Sequence, residues 1–147
     1  MTKRNRTIVA ASLLLGLAGT AEAKEYKVAM LNTGPDGAMV FSPSYLKVAP
    51  GDEILFVAQD KGHNAQSVPG LAPPGSTEFK GAMSQDVKVK FTKPGIYGYE
   101  CMPHFALGMV GLVQVGAPTN RKQFEAVTAK LPTLARARMT KYLAQVK

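Results

Sequence analysis

The sequence predicts a β-sandwich closed by two short C-terminal helices. Apolar and polar residues alternate in several short segments between residues 26 and 115. Gly/Pro clusters separate those segments. After Pro118 the apolar spacing changes from every second residue to every third or fourth.

Taken in order, Tyr26, Val28 and Met30 alternate with Lys27 and Ala29 as a half-buried strand does. Leu46 and Val48 flank Lys47, and residues 54–58 form the continuous apolar run of a central strand. Val87, Val89 and Phe91 alternate with Lys88 and Lys90, and Tyr97, Tyr99 and Cys101 with Gly98 and Glu100. Residues 110–115 are apolar again. Gly34-Pro35-Asp36-Gly37, Ala49-Pro50-Gly51-Asp52 and Lys93-Pro94-Gly95 supply the turns. Residues 67–76 read as a long irregular loop. Short strands at this spacing predict an antiparallel sandwich or barrel. Met30 and Met83 read as core filler.

Phe124, Val127, Thr128 and Leu131 then follow helical spacing, with Asn120 and Gln123 as a capping pair. Pro132 breaks that helix. Thr133 is placed to cap a second, with the apolar stripe Ala135, Met139, Tyr142 and Val146.

Residues 1–23 read as a secretory signal peptide. Lys3, Arg4 and Arg6 form a positive start, residues 8–18 an apolar stretch, and Ala21-Glu22-Ala23 a small-residue cleavage site. The apolar stretch is about half of the roughly 20 residues a spanning helix needs, so no stable membrane insertion is expected. Processing leaves a sandwich domain over 24–117 and a helical extension over 118–147.

The whole chain carries a formal charge of +8, and much of the excess lies after residue 118. There, seven Lys and Arg face the single acidic residue Glu125. Such an excess points to an acidic partner or to a solvated helical face. Export argues against nucleic acid, which leaves an acidic protein as the better candidate.

An exported chain with one cysteine cannot form an internal disulfide. Its thiol is exposed to oxidation unless something protects it, and ligation to a metal does so. That cysteine, Cys101, stands three residues before His104, one of two histidines, and eight before Met109. Pro103 and Gly108 favour a tight loop that turns the three side chains toward one point. A nucleophilic Cys–His pair needs an orienting third group, and none is evident, so no catalytic residue is assigned. The other histidine, His63, ends the 54–58 strand and can lie at the same pole of a sandwich. Two imidazoles, a thiolate and a thioether are the donor set of blue copper electron-transfer sites. Zinc is the competing metal, but structural zinc sites take four strong Cys or His donors, and only three exist here.

The pattern Tyr97-x-Tyr99-x-Cys101-x2-His104-x4-Met109, with Pro94-Gly95 before it and His63-Asn64 upstream, resembles the type 1 copper proteins, the cupredoxins. The Cys-x2-His-x4-Met spacing is shared with plastocyanin. Residues 37–41, Met109-Val110-Gly111 and the two helices resemble the pseudoazurin branch. The resemblance covers nearly the whole chain after residue 23. It implies an eight-stranded Greek-key sandwich of the cupredoxin type. It implies one copper ion held by His63, Cys101, His104 and Met109, with the backbone N–H of Asn64 bonded to the Cys101 sulfur. It implies a monomeric periplasmic electron carrier rather than an enzyme, with an acidic redox protein such as copper nitrite reductase as partner in denitrification. The edge of His104 is then expected to reach solvent through an apolar patch. Met39, Pro103, Phe105, Ala106 and Leu107 are the candidates to line it, with Lys61 and Lys80 steering the partner. Two departures stand out: Glu100 occupies a position where relatives often carry lysine, and Met102 makes the loop more apolar.

Two other functions use features of the same chain. Copper delivery or storage needs the same donors but favours exposed, Met-rich coordination. A basic adhesive or lipid-binding module would need no metal, and its binding to anionic vesicles would survive removal of residues 119–147.

Overall fold

A computed structural model describes residues 22–147 of the chain. Most of the expected export signal therefore lies outside the described residues. Eight strands form two four-stranded sheets: β1 (Glu25–Gly34), β2 (Gly37–Ser42), β3 (Tyr45–Val48), β4 (Glu53–Val57), β5 (Gln66–Ser67), β6 (Val87–Lys90), β7 (Gly95–Glu100) and β8 (Val110–Val115). The first sheet has the order β2-β1-β4-β6 and the second β3-β8-β7-β5. A 3-10 turn, Met102–Leu107, interrupts β7 and β8, and α1 (Arg121–Thr128) and α2 (Thr133–Leu143) close the chain.

The sheets enclose one core. Val28 and Met30 of β1, Ile54 and Phe56 of β4 and Val113 and Val115 of β8 meet Tyr97, Tyr99 and Cys101 from β7 and its end. Phe41, Phe56 and Tyr99 pack edge to face at its centre, with Tyr99 4.8 Å from Phe41 and 4.9 Å from Phe56 between ring centroids. Each such ring removes apolar surface from water, which stabilises the fold by about 1.5–3 kcal/mol per large side chain. β7 and β8 are buried along their full length. Their second face packs a separate core in which Ile96, Val110 and Leu112 meet Phe124, Leu131, Ala135, Met139 and Tyr142 from the helices. Double burial explains why residues 110–115 are apolar but for Gln114, which is itself buried and donates to Gly116 O and Lys147 O at 2.9 and 2.6 Å.

Several expectations need correction. The sandwich is not purely antiparallel, because β1 pairs with β4 and β3 with β8 in parallel. Strands β2 and β5 were not expected. β2 shows no alternation, since Val40 and Phe41 are both buried. β5 is a two-residue pairing with β7 inside the expected loop. Asn120 makes no capping bond to α1. Its side chain instead accepts from Ile96 N–H at 2.7 Å and donates to Ile96 O at 2.9 Å, which ties the helix start to β7. Gln123 likewise donates to the Gly70 carbonyl. Pro132, not Thr133, precedes α2, and no side chain caps it. Met30 is core as expected, but Met83 is 42% exposed.

The basic C-terminal segment is largely occupied within the fold. Arg121 donates to Val146 O and pairs with Glu125, Arg136 donates to Ala129 O, and Lys141 pairs with Asp36 at 3.0 Å. No helix among the described residues is long and apolar enough to cross a membrane.

Candidate metal centre

β7 ends at Glu100, and the chain turns at once. Pro103 stands in the first turn of the 3-10 segment, where its fixed φ suits the geometry and its missing N–H leaves no donor unpaired. Gly108 ends the segment with φ 86°, a left-handed conformation that favours glycine. The backbone hydrogen bonds of this loop run between the expected ligands themselves. Cys101 N–H donates to Met109 O at 3.0 Å, His104 N–H to Cys101 O at 3.1 Å, and Met109 N–H to His104 O at 3.1 Å. Three of the four candidate ligands are thus tied to one another through the main chain.

His63 arrives from the loop after β4. Its carbonyl accepts Ser84 N–H at 2.8 Å, and Gly62 N–H donates to Ser84 Oγ. Its Nε2 lies 2.8 Å from Asn32 Oδ1. An amide oxygen only accepts, so Nε2 carries the proton and Nδ1 keeps its lone pair. That Nδ1 lies 3.1 Å from His104 Nδ1 and 3.6 Å from Cys101 Sγ, and the sulfur is 3.4 Å from His104 Nδ1. The point equidistant from these three atoms is about 2 Å from each, a bonding length for imidazole nitrogen on a transition metal. Lone pairs on three donors facing one another suit a shared cation. His63, Cys101 and His104 are the group among the described residues with His, Cys, Asp or Glu donors so gathered.

The environment adjusts each donor. Burial, and then the neighbouring His104, hold His63 below the ordinary imidazole pKa, which keeps it neutral and able to ligate. Burial pushes the Cys101 thiol up, while the backbone N–H groups of Asn64 and His104 bond its sulfur and favour the thiolate. The Asn64 side chain also joins the two loops: Oδ1 accepts Met102 N–H at 2.8 Å, and Nδ2 donates to Gln66 Oε1 and Gly81 O at 3.0 and 3.2 Å. Met109 is fully buried in the core that contains Cys101. His63 is buried, whereas His104 is half-buried and stands nearer to solvent.

Of the expected patch residues, Pro103, Ala106 and Leu107 are exposed, and Met39 and Phe105 are half-buried. Phe105 packs partly against the helix-side core and Met39 against the inter-sheet core. Lys61 and Lys80 are exposed. Lys80 lines a shallow hollow with Glu78 and Glu100. Glu100 is buried, accepts from Gln66 Nε2 at 2.9 Å, and has its carboxyl raised above the usual range by that burial.

Sequence reasoning missed Asn32 as a partner of His63. The available signal was phase: Asn32 follows Val28 and Met30 at the core-facing register of β1. It also missed Met83 and Leu134, which are exposed large apolar residues together with Met102 and Leu107. Met102 and Leu107 belong to the metal loop, Met83 precedes the Ser84 that bonds His63, and Leu134 backs Gly108.

Comparison with known proteins agrees with this geometry. The family described as copper binding proteins, plastocyanin/azurin family, matches residues 28–116. The pseudoazurin of Paracoccus pantotrophus is 48% identical over 93% of this chain and 94% of its own. That of Methylorubrum extorquens is 48% identical over 74% of this chain and 75% of its own. The crystal structure of pseudoazurin from Methylobacterium extorquens AM1 superposes with a TM-score of 0.80 at 40% identity, covering 84% of this chain and 99% of that one.

Proposed function

This chain belongs to the plastocyanin/azurin family of copper-binding proteins, in its pseudoazurin branch, and we propose that it carries single electrons between redox proteins of the periplasm. Pseudoazurins are electron-transfer proteins and not enzymes, and their cofactor is one type 1 copper. The observation that carries the reading is the convergence of His63 Nδ1, His104 Nδ1 and Cys101 Sγ within 3.1 to 3.6 Å of one another. His63, Cys101 and His104 hold the metal, with Met109 as the weak fourth donor. A bound copper ion supplies the one-electron Cu(I)/Cu(II) couple.

The residues of this chain do the rest. The hydrogen bonds among Cys101, His104 and Met109 hold the donors in place, which limits rearrangement when the charge changes. The Asn64 and His104 N–H groups draw electron density from the sulfur and favour the reduced state. The buried inter-sheet core behind Cys101 excludes water from one side of the site. His104, half-buried beside exposed Pro103, Ala106 and Leu107, is the exit for the electron. Residues 1–23 act as the export signal, 24–117 as the copper domain and 118–147 as a helical brace on it. The chain works as a monomer.

The partner is an acidic redox protein, with copper nitrite reductase of a denitrifying chain as the first candidate. Lys61 supports this through its exposure two residues from His63. The test is the second-order rate of electron transfer to that reductase over a range of ionic strength. A rate that falls with added salt supports the pairing. A slow, salt-independent rate excludes it.

A further inference from the structure

The C-terminal helices are joined to the metal loop at one residue the copper site itself does not require. Arg138, on α2, donates from Nη1 to Gly108 O at 2.9 Å and to Met39 O at 2.7 Å, and from Nη2 to Ala38 O at 2.9 Å. Leu134 lies one turn earlier on the same face of the helix. Its backbone stands 3.2 Å from where a Cβ on Gly108 would sit. Two residues at i and i+4 thus press one helix face onto the end of the loop.

We propose that Arg138 is a positioning residue for the metal loop, fixing the Gly108–Met109 peptide and, through it, the segment that carries Cys101, His104 and Met109. Gly108 O belongs to the same peptide as Met109 N–H. A cation on that oxygen polarises the peptide and strengthens the bond from Met109 N–H to His104 O. The same guanidinium holds the carbonyl of Met39, whose φ of 49° is costly for a residue other than glycine. It therefore sets two backbone segments at the metal pole at once. Among the described residues Arg138 makes no ion pair. Only the planar fork of arginine reaches three carbonyls in this arrangement, since lysine offers one compact ammonium. The functional half of the proposal rests on the copper reading above.

The test compares Arg138→Met and Arg138→Lys with Lys141→Met, which removes a charge from the same helix while touching Asp36 rather than the loop. In metal-free protein, amide exchange of Met109 read by NMR is expected to accelerate at least about tenfold in R138M. A smaller acceleration is expected in R138K and none in K141M, while the Phe56 amide of central strand β4 stays unchanged in all three. In copper-loaded protein, R138M is expected to shift both the reduction potential and the visible thiolate-to-copper absorption, and K141M neither. Unchanged Met109 exchange in R138M overturns the proposal. So does equal acceleration at Phe56, which marks a merely global loss of stability, and so does an equal shift in potential from K141M. If R138M does not fold, R138K is judged by the same two readouts. Faster Met109 exchange in a protein that binds no copper upholds the clamp and sinks the copper reading.

Discussion

Asn64→Ala removes the side chain that joins the two ligand loops. Three hydrogen bonds go: from Met102 N–H at 2.8 Å, to Gln66 Oε1 at 3.0 Å and to Gly81 O at 3.2 Å. Gln66 is half-buried and keeps its bond to Glu100, so its loss is minor. Met102 N–H and Gly81 O are backbone groups left without that partner. At about 1–2 kcal/mol for each, the variant loses about 2–4 kcal/mol. For a chain of this size each kcal/mol lowers Tm by about 4 °C, so Tm falls by about 10 °C. Chemical denaturation of metal-free protein measures the loss without interference from the ion. In copper-loaded protein a loosened Asn64 backbone, whose N–H the resemblance places against the Cys101 sulfur, is expected to lower the reduction potential as well. A metal-free loss below about 1 kcal/mol, or a potential that does not fall, refutes the reasoning that Asn64 holds both loops and the sulfur.

Three further outcomes follow from the fold. Gly111 pairs with Tyr99 across β7 and β8, and a Cβ on Gly111 would collide with the hydroxyl end of the Tyr99 ring. Phe41 and Phe56 block that ring from moving, so Gly111→Ala costs at least about 3 kcal/mol in equilibrium unfolding. The Asp52 carboxyl accepts Lys24 N–H and Ala49 N–H, which hold its pKa below the usual range. Its stabilisation is present above the ordinary carboxylate pKa of about 3.9 and is lost as pH falls through the lower folded value. Denaturation between pH 2 and 6 should therefore show a flatter acid limb for Asp52→Asn than for the parent. Lys61→Glu should slow electron transfer to the acidic partner severalfold at low salt, and Lys80→Glu less, because Lys61 stands two residues from His63 while Lys80 lies beside the acidic Glu78 and Glu100. Stopped-flow kinetics read both.

Legibility in the sequence depended on how local each cause was. Strands with one buried face, such as the run from Tyr26 to Met30, announce themselves by alternation. The parallel pairing of β1 with β4 does not, because partner choice is set by the other sheet and by crossovers. β2 was hidden by the positive φ of Met39 and by burial of both Val40 and Phe41. Asn120 misled because its type suits a helix cap, while Ile96 of β7 offers it a donor and an acceptor together. Cys101, His104 and His63 were readable because their donor types are scarce in this chain. Asn32 and Arg138 were not, since one bonds a ring nitrogen 31 residues away and the other three main-chain carbonyls. Four basic residues of the C-terminal segment, Arg121, Arg136, Arg138 and Lys141, bond within the molecule. This favours the structural reading of that charge over the partner-binding one.

The central claim is that His63, Cys101 and His104 hold one copper ion through the thiolate. Optical titration of metal-free protein with Cu(II), run beside Cys101→Ser, tests it most directly. The account predicts an intense visible band that saturates at one equivalent, bleaches on one-electron reduction and is absent from Cys101→Ser. Copper that binds without that band, or a band that survives in Cys101→Ser, contradicts it.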